Sequence, residues 1–256
     1  MLSVCIVSFN TADLTSQCVS SVLDHTAGLE YEIIVVDNAS TDGSFELLSR
    51  EFGDRITLVR SPTNRYFTGG FNDALFRAKG KYALVLNSDT RLSDNSLKVM
   101  TDFLDTHSDV GGIEGTIIDY ETGRVTPTSS RELTPFRERV RSIRVLRRLL
   151  KPVYDGYRYA GWDRTTDREV EVICDAFMMV RTDLVRKIGG YPEALKMYFT
   201  EEYLSDRIRG EGYRLFHLGE ARVHHAWSSS TKKVRPKLIS AVYAADRMIY
   251  MALRGQ

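Results

Sequence analysis

Short apolar runs alternate with longer amphipathic segments along the first hundred residues of the chain. Strands are predicted at 3–8, 32–36, 56–60 and 82–86, and helices at 11–25, 44–52, 69–79 and 95–107. Regular alternation of strand and helix is typical of parallel strands joined by right-handed crossovers. The pattern therefore predicts an α/β fold with a mostly parallel, Rossmann-like sheet flanked by helices.

After residue 110 the order becomes less regular. Residues 111–119 again predict a strand, and 126–167 predicts a basic, poorly ordered insertion. Further strands are predicted at 170–180, 213–217 and 221–225, and further helices at 182–188, 201–211 and 236–253. We expect a single domain over 1–256, with halves at 1–110 and 111–230 and a carboxyl-terminal helix within 231–256.

Composition excludes several classes of protein. Charged residues make up 27% of the 256 positions and leave a formal net charge of +1, which argues against a dedicated nucleic-acid binder. Three scattered cysteines predict reduced core thiols and a cytoplasmic protein rather than a disulfide framework. No apolar run approaches the roughly 18 residues that a membrane span needs, and the amino terminus lacks the basic start of a secretory signal.

Two predicted strands end in an acidic, polar loop. The run at 82–86 continues into Asn87, Ser88 and Asp89, and the run at 33–36 continues into Asp37 and Asn38. Carboxyl ends of parallel strands meet at one edge of a sheet, so we expect both carboxylates in one crevice. There Asp89 can hold a divalent cation, and Asp37 can accept an imide N–H from uracil or thymine. The alternative for both is a cap or turn residue before the next helix.

A glycine pair lies between these two acidic loops. Gly69 and Gly70 stand at the predicted start of the helix 69–79, where free N–H groups and the helix dipole favour a phosphate. The alternative is an ordinary turn. Taken with the neighbouring acids, the pair predicts contact with the diphosphate of a nucleotide.

Four ordered stretches, at 7–10, 36–44, 64–72 and 86–90, together resemble family 2 glycosyltransferases, most closely their rhamnosyltransferase-like branch. The resemblance implies a GT-A fold (the nucleotide-diphospho-sugar transferase fold), a nucleotide-diphosphate-sugar donor, Mg²⁺ or Mn²⁺, and an inverting reaction. It assigns the first half of the chain to the donor. The donor-binding positions that it implies are Ser8, Asn10, Asp37, Asn38, Asn64, Gly69, Gly70, Asn72, Asn87 and Asp89.

Within this pattern Asp89 corresponds to the metal-binding acid, and Asn87 stands where a first acid is common. An amide supplies no charge to a metal, although it can hydrogen-bond a sugar or ribose hydroxyl. Tyr66 and Phe71 depart from the Gly and Asn that are usual in the family's donor loop.

An inverting transfer needs a general base, and the candidates for it lie in the second half of the chain. Glu201 and Glu202 open the predicted helix 201–211 and resemble the family's Glu-Asp pair. Alignment on Arg207 and the following Gly-Tyr favours Glu202 as the base, with Glu201 as the second candidate. The alternative is that both acids only stabilise the positive end of a helix.

Two histidines, His224 and His225, follow the apparent strand at 221–223. Many relatives carry a His with a serine about five positions on, near the donor diphosphate, and His224 with Ser229 has that spacing. The resemblance makes His224 or His225 a candidate partner of Asp89 in holding the metal. The alternative is a surface or core histidine.

The segment 131–151 carries eight Lys or Arg against two Glu, and its apolar residues fall near one helical face. A basic amphipathic helix at 136–151 predicts a peripheral contact with the inner face of the cell membrane. The alternative is a helix that packs on its own domain. With the membrane contact, the acceptor would be a lipid-linked saccharide, and otherwise another saccharide.

Together these features predict an inverting glycosyltransferase of cell-surface polysaccharide synthesis, using dTDP-rhamnose or a UDP-sugar. A non-catalytic protein that binds sugar nucleotides or polysaccharide is one alternative. A sugar nucleotidyltransferase is another, but it normally needs a glycine-rich basic loop after the first strand, and residues 8–13 contain none.

Overall fold

One mixed sheet forms the centre of the computed structural model, which describes residues 1–226 and 236–254. The strands are Leu2–Ser8 (β1), Tyr31–Asp37 (β2), Thr57–Arg60 (β3), Tyr82–Asn87 (β4), Thr90–Arg91 (β5), Val110–Asp119 (β6), Val125–Thr126 (β7), Arg168–Val170 (β8), Phe177–Arg181 (β9) and Arg214–His225 (β10). The helices are Ala12–His25 (α1), Ser44–Phe52 (α2), Tyr66–Leu75 (α3), Ser96–Thr106 (α4), Pro135–Ser142 (α5), Arg144–Leu149 (α6), Lys151–Tyr157 (α7), Thr182–Lys187 (α8), Thr200–Gly210 (α9) and Pro236–Leu253 (α10).

The sheet has the order β3-β2-β1-β4-β9-β6-β10-β5, with β7 beside β6 and β8 beside β10. The first four strands are parallel, as the alternating pattern predicts. β9 runs antiparallel between β4 and β6, which joins the two halves of the chain into one sheet. The predicted α/β class is therefore confirmed.

Both faces of the sheet are covered by helices because its strands alternate apolar side chains between two cores. On one face Leu84 and Leu86 of β4 pack in a core with residues of α1, α2 and α4. On the other face Ala83 and Val85 pack in a core with residues of α3, α8 and α9. A third, smaller core of aromatic and leucine side chains lies under α10. Burial on both faces explains why these strands are continuous apolar runs.

Residues 126–167 differ from the prediction of a poorly ordered segment and from that of one amphipathic helix over 136–151. The chain forms three short helices, α5, α6 and α7, because it leaves helical geometry at two positions. Ile143 has an extended backbone (φ −99°, ψ 110°), and Leu150 lies outside the helical region (φ −107°, ψ 39°). Pro152 then lies in the first turn of α7, where its missing N–H leaves no helical hydrogen bond unmade.

Two strand predictions in the second half are also corrected. The stretch 170–180 is not one strand, because β8 pairs with β10 whereas β9 lies between β4 and β6, and residues 171–176 cross between these positions. Conversely, 213–217 and 221–225 belong to the single strand β10, whose pairing with β6 shifts register between Leu218 and Arg222. Local patterns do not contain this information, because it depends on the partner strand.

The helix predicted at 69–79 begins three residues earlier, at Tyr66, so the glycine pair lies inside α3 and not at its amino terminus. The Gly69 N–H donates to the carbonyl oxygen of Arg65. At Gly70 an added Cβ would lie 2.8 Å from Cγ1 of Val7 on β1. The glycine therefore allows α3 to approach the sheet closely, and the argument for a phosphate at a helix start does not apply here.

We predict that Gly70→Ala lowers the free energy of unfolding by about 1–3 kcal/mol, since the new methyl group overpacks the contact between α3 and β1. Gly156→Ala in α7 is the matched control, because no atom lies within 4 Å of its added Cβ. The control should be neutral or stabilised by up to about 1 kcal/mol. Urea unfolding of both variants measures the difference, and equal stabilities would contradict the close approach.

Candidate active site at the carboxyl ends of the central strands

Three parallel strands end side by side at one edge of the sheet. β1 is the middle strand, and its Ser8 lies opposite Asp37 of β2, while its Val7 lies opposite Asn87 of β4. Ligands of open α/β sheets bind at this kind of edge. The candidate site is therefore built on the loops that follow β1, β2 and β4.

Asp37 is fully buried at the end of β2. Its Oδ2 accepts the backbone N–H of Ser40 at 3.3 Å. Its Oδ1 is buried too, and within residues 1–226 and 236–254 no hydrogen-bond partner reaches it. A buried carboxylate oxygen without a partner is unfavourable, and an N–H donated by a ligand would satisfy it.

Three asparagines connect the loops around Asp37. The Oδ1 of Asn10, whose backbone has a positive φ of 54°, accepts the N–H of Thr41 at 2.8 Å. The side-chain amide of Asn38 donates to Asn64 Oδ1 at 3.0 Å and to the carbonyl of Tyr66 at 2.8 Å. These residues shape the predicted donor pocket by holding the loop after β2 against the start of α3.

Two other predicted donor-binding residues are engaged inside the protein. The Ser8 hydroxyl lies 2.9 Å from the hydroxyl of Thr15 on α1 and is fully buried. The Asn72 side chain donates to the carbonyl of Tyr191 at 2.7 Å and accepts the N–H of Tyr191 at 2.9 Å. Both ends of the Asn72 amide are thus used to fasten α3 to the segment after α8.

Asp89 follows β4 and meets the end of β10. The Nε2 of His225 lies 2.9 Å from Oδ1 of Asp89, and both side chains are nearly buried. Neighbouring residues of a strand point to opposite faces, so His224 turns away and packs edge-on against Tyr120 with ring centroids 6.4 Å apart. His225 is therefore the histidine that contacts Asp89, and Ser229, which was paired with His224 by spacing, lies outside the described residues.

The antiparallel pairing of β4 and β9 adds further acids to the site. The Asn87 N–H donates to the carbonyl of Ala176, which places Asp175 beside the loop that carries Asp89. Ligand atoms of Cys174, Asp175 and Glu201 all lie within 4.8 Å of one another. Sequence reasoning missed Cys174 and Asp175, because only the pairing of β9 with β4 brings them here.

This cluster holds its protons more tightly than free carboxylic acids do. Burial raises the pKa of Glu201 from its ordinary value, and the charge of Asp175 raises it further. Burial also raises the pKa of Asp175, although a hydrogen bond from Thr200 at 2.6 Å opposes the change. Carboxylates with raised pKa values in a polar crevice are suited to exchange protons near neutral pH.

Glu202 occupies a different environment from Glu201. It is 4% exposed, and its Oε1 lies 3.6 Å from Nη1 of Arg141 on α5. Burial raises its pKa to about 8, the charge of Glu201 contributes, and Arg141 opposes the change. Glu202 thus joins α9 to the insertion, whereas Glu201 belongs to the cluster beside β4.

A buried network of polar side chains contacts the backbone next to the cluster of Cys174, Asp175 and Glu201. Glu114 on β6 is fully buried, lies 2.9 Å from Nδ1 of His217 on β10, and accepts the N–H of Cys174. The hydroxyl of Ser129 also donates to Glu114. The network fixes the backbone just before Asp175, so Glu114 and His217 position the cluster without reaching the open edge.

The segment 195–199, which leads into α9, is held by two helices. The carboxylate of Asp246 on α10 is fully buried and accepts the N–H groups of Lys196, Met197 and Tyr198 at 2.9–3.1 Å. On the α3 side, the Phe67 N–H donates to the carbonyl of Lys196. One short segment therefore links α3, the carboxyl-terminal helix α10 and the start of α9, the helix that carries Glu201.

The donor set at this edge fits Mg²⁺ or Mn²⁺. Asp89 offers carboxylate oxygens, and Mn²⁺ also accepts an imidazole such as that of His225. The separate group of Cys174, Asp175 and Glu201 contributes two further carboxylates. Asn87 leaves the site with less negative charge than two acids would give. Cys174 is a poor ligand, because burial holds the pKa of its thiol well above the ordinary value.

Comparison with known proteins places the chain in a family. The model described as glycosyl transferase family 2 matches residues 3–189, well over half of the 256 positions. The chain adopts the GT-A glycosyltransferase fold that the resemblance implies, and it belongs to glycosyl transferase family 2.

Two curated relatives share part of this region. The poly(ribitol-phosphate) beta-glucosyltransferase of Bacillus spizizenii is 34% identical over 100 residues, which are 38% of this chain and 16% of that protein. The UDP-Glc:alpha-D-GlcNAc-diphosphoundecaprenol beta-1,3-glucosyltransferase WfaP of Escherichia coli is 28% identical over 106 residues, 41% of this chain and 42% of that protein. The matched region thus spans less than half the length of either relative.

Among solved structures, the mannosyltransferase PcManGT of Pyrobaculum calidifontis, in complex with GDP-Man and Mn²⁺, superimposes with a TM-score of 0.62. The match covers 88% of this chain and 56% of that one at 18% sequence identity. At this identity the comparison establishes the shared fold and not a shared substrate.

We predict that Asp246→Asn lowers the free energy of unfolding by about 2 kcal/mol, because hydrogen bonds from the segment 195–199 lose their charged acceptor. Hydrogen exchange at residues 196–198 should accelerate relative to that of β1. Asp183→Asn, whose side chain is 99% exposed, is the control and should change the free energy by less than about 0.5 kcal/mol. Unchanged exchange at 196–198 would show that Asp246 does not hold the segment.

The raised pKa of Glu202 predicts a pH-dependent stability. The pKa of Glu202 rises from 4.5 to about 8 on folding. Between pH 4.5 and about pH 8 the folded protein therefore keeps a proton on Glu202 that the unfolded chain has lost. The free energy of unfolding consequently falls as the pH rises across this range. Glu202→Gln removes this dependence. The melting temperature of the variant, relative to that of the wild type, should therefore increase from pH 5 to pH 9. Glu121→Gln, at an exposed turn, should follow the wild type. Parallel curves for Glu202→Gln and wild type would refute the assignment.

Proposed function

We propose that the chain is an inverting, metal-dependent glycosyltransferase that moves a sugar from a nucleotide-diphosphate donor to a saccharide acceptor. The observation that carries this proposal is the arrangement at one sheet edge. Asp37, whose Oδ1 has no partner among the described residues, ends β2, Asp89 follows β4 and meets His225 at the end of β10, and Asp175 precedes β9 beside Glu201 of α9. Along the sheet edge this would give, in order, a contact for the nucleobase, a region for the diphosphate and a general base.

The nucleotide would be recognised at Asp37. Its Oδ1 would accept the imide N–H of a uracil or thymine ring. Cytosine has no N–H at the corresponding ring position and could not make this hydrogen bond. The loop after β2 is already fixed by Asn10 and Asn38, so little order is lost when the ring binds. A UDP-sugar or dTDP-rhamnose is the donor class that fits this contact.

The diphosphate would lie beside Asp89. Asp89 and His225 would hold Mg²⁺ or Mn²⁺ there. When bound, the cation offsets the negative charge that builds on the departing diphosphate. Asn87, half-buried at the end of β4, is placed to hydrogen-bond a donor hydroxyl.

Glu201 would act as the base. Its neighbours Asp175 and Cys174 put it at the β4 edge, whereas Glu202, the candidate favoured by sequence alignment, is turned toward Arg141. Oxygen of the acceptor hydroxyl attacks the anomeric carbon, its proton passes to a Glu201 carboxylate oxygen, and the bond to the diphosphate breaks. Attack opposite the leaving group inverts the configuration, and no covalent enzyme intermediate forms.

The acceptor we propose is a saccharide, free or carried on a lipid, in the synthesis of a cell-surface polysaccharide. Relatives named for poly(ribitol-phosphate) and for a diphosphoundecaprenol-linked sugar support this class. The protein would then work in the cytoplasm, at the inner face of the cell membrane. Among the described helices none is long and apolar enough to cross a bilayer.

A paired binding and transfer measurement tests this proposal. UDP-sugars and dTDP-rhamnose with Mn²⁺ should raise the melting temperature of the wild type, and EDTA should abolish the shift. Glu201→Gln should keep the donor-induced shift but lower transfer, or donor hydrolysis, by about 10²–10⁴-fold, as expected for loss of a general base.

Glu202→Gln is the matched control and should retain transfer within about tenfold, since Glu202 lies outside the cluster. The reverse result, with transfer lost only in Glu202→Gln, would move the base to Glu202. A donor-induced shift in melting temperature without transfer or hydrolysis, in the wild type and in both variants, would instead indicate a non-catalytic binding protein. Full activity in EDTA would contradict the proposed metal dependence.

A further inference from the structure

α6 stands apart from the other helices of the insertion because it buries none of its side chains. Val145 is 63% exposed and Leu149 is 73% exposed, and Ile143 just before the helix is 47% exposed. Exposed apolar side chains that occur singly need no explanation, but three within seven residues form a patch.

The preceding helix shows that the insertion is otherwise packed on the domain. In α5, Val140 and Glu138 are buried, and both carboxylate oxygens of Glu138 accept hydrogen bonds at 2.6 Å from Arg247 of α10. The break at Ile143 separates this docked helix from α6. Thus α5 fits the interpretation of a helix packed on its own domain, and α6 does not.

Several cations near the patch have no balancing acid among the described residues, whereas Arg141 pairs with Glu202 and Lys151 pairs with Asp155. Residues 139–154 contain six Lys or Arg and neither Asp nor Glu. Arg139, Arg144 and Arg148 are exposed, and within the described ranges no carboxylate lies within ion-pair distance of them. A surface that combines uncompensated cations with protruding apolar side chains matches the interface of an anionic bilayer, where headgroups carry negative charge above an apolar layer.

We propose that α6 with its flanking residues 143–151 is a membrane-contact surface that binds anionic phospholipid bilayers. Val145 and Leu149 enter the headgroup boundary, and Arg144 and Arg148 meet lipid phosphates. The contact does not require the proposed transfer reaction, so each can fail without the other. It would keep the domain close to a lipid-carried acceptor.

Binding of the full chain to vesicles tests this surface. Sedimentation with vesicles of 30% phosphatidylglycerol in phosphatidylcholine should show binding that weakens as salt rises, with at least about tenfold weaker binding to pure phosphatidylcholine. The pair Arg144→Glu and Arg148→Glu should weaken binding to the anionic vesicles by about tenfold or more. The pair Val145→Ser and Leu149→Ser should do so as well, even at low salt.

Matched controls separate the surface from general charge and hydrophobicity. The pair Arg50→Glu and Lys79→Glu changes the net charge equally, and Phe76→Ser removes a side chain that is 50% exposed elsewhere. These controls should bind as the wild type does, and all variants should keep its melting temperature. Equal loss in the controls, wild-type binding in the α6 variants, or a wild type that binds neither vesicle would overturn the proposal. So would self-association of the free protein that the α6 variants abolish.

Discussion

The candidate site depends on the antiparallel pairing of β9 with β4. This pairing closes the gap between the first four parallel strands and the second half of the sheet, and its last hydrogen bond joins Asn87 to Ala176. Asp175 is thereby fixed beside the loop of Asp89, and Glu201 completes the cluster. Without this one strand the first four strands would end in two acidic loops, and the cluster of Asp175 and Glu201 would not lie at their edge.

Around the pairing of β9 with β4 several ionisable groups are buried in low-dielectric surroundings, and each of them contacts a specific partner. Glu114 is held by His217, Glu202 by Arg141, and Asp246 by three backbone N–H groups. Burying such groups is costly unless they are paired. Most of these contacts connect segments far apart in the chain, so the network aligns α9, α10 and the insertion on the sheet at the expense of some stability.

Sequence patterns predicted much of this fold because the relevant signals are local. The strands and helices of the first half appear within a few residues of their predicted bounds, and α2 and α10 match them. Errors occurred where tertiary contacts override local pattern. α3 starts at Tyr66, where the distant Asn38 accepts the N–H of Arg65 and donates to the carbonyl of Tyr66. The stretch 170–180 divides because its ends pair with different strands. The single amphipathic helix expected at 136–151 is interrupted by the extended backbone of Ile143.

The sequence by itself determined the class of fold, the acids that follow β2 and β4, and the pair of glutamates at the start of α9. These follow from periodicity and short motifs, which are properties of neighbouring residues. Only the tertiary structure decided that Glu201 rather than Glu202 joins Asp175, that His225 rather than His224 meets Asp89, and that α6 is left uncovered. Those choices depend on which face a side chain occupies once strands from distant parts of the chain have paired.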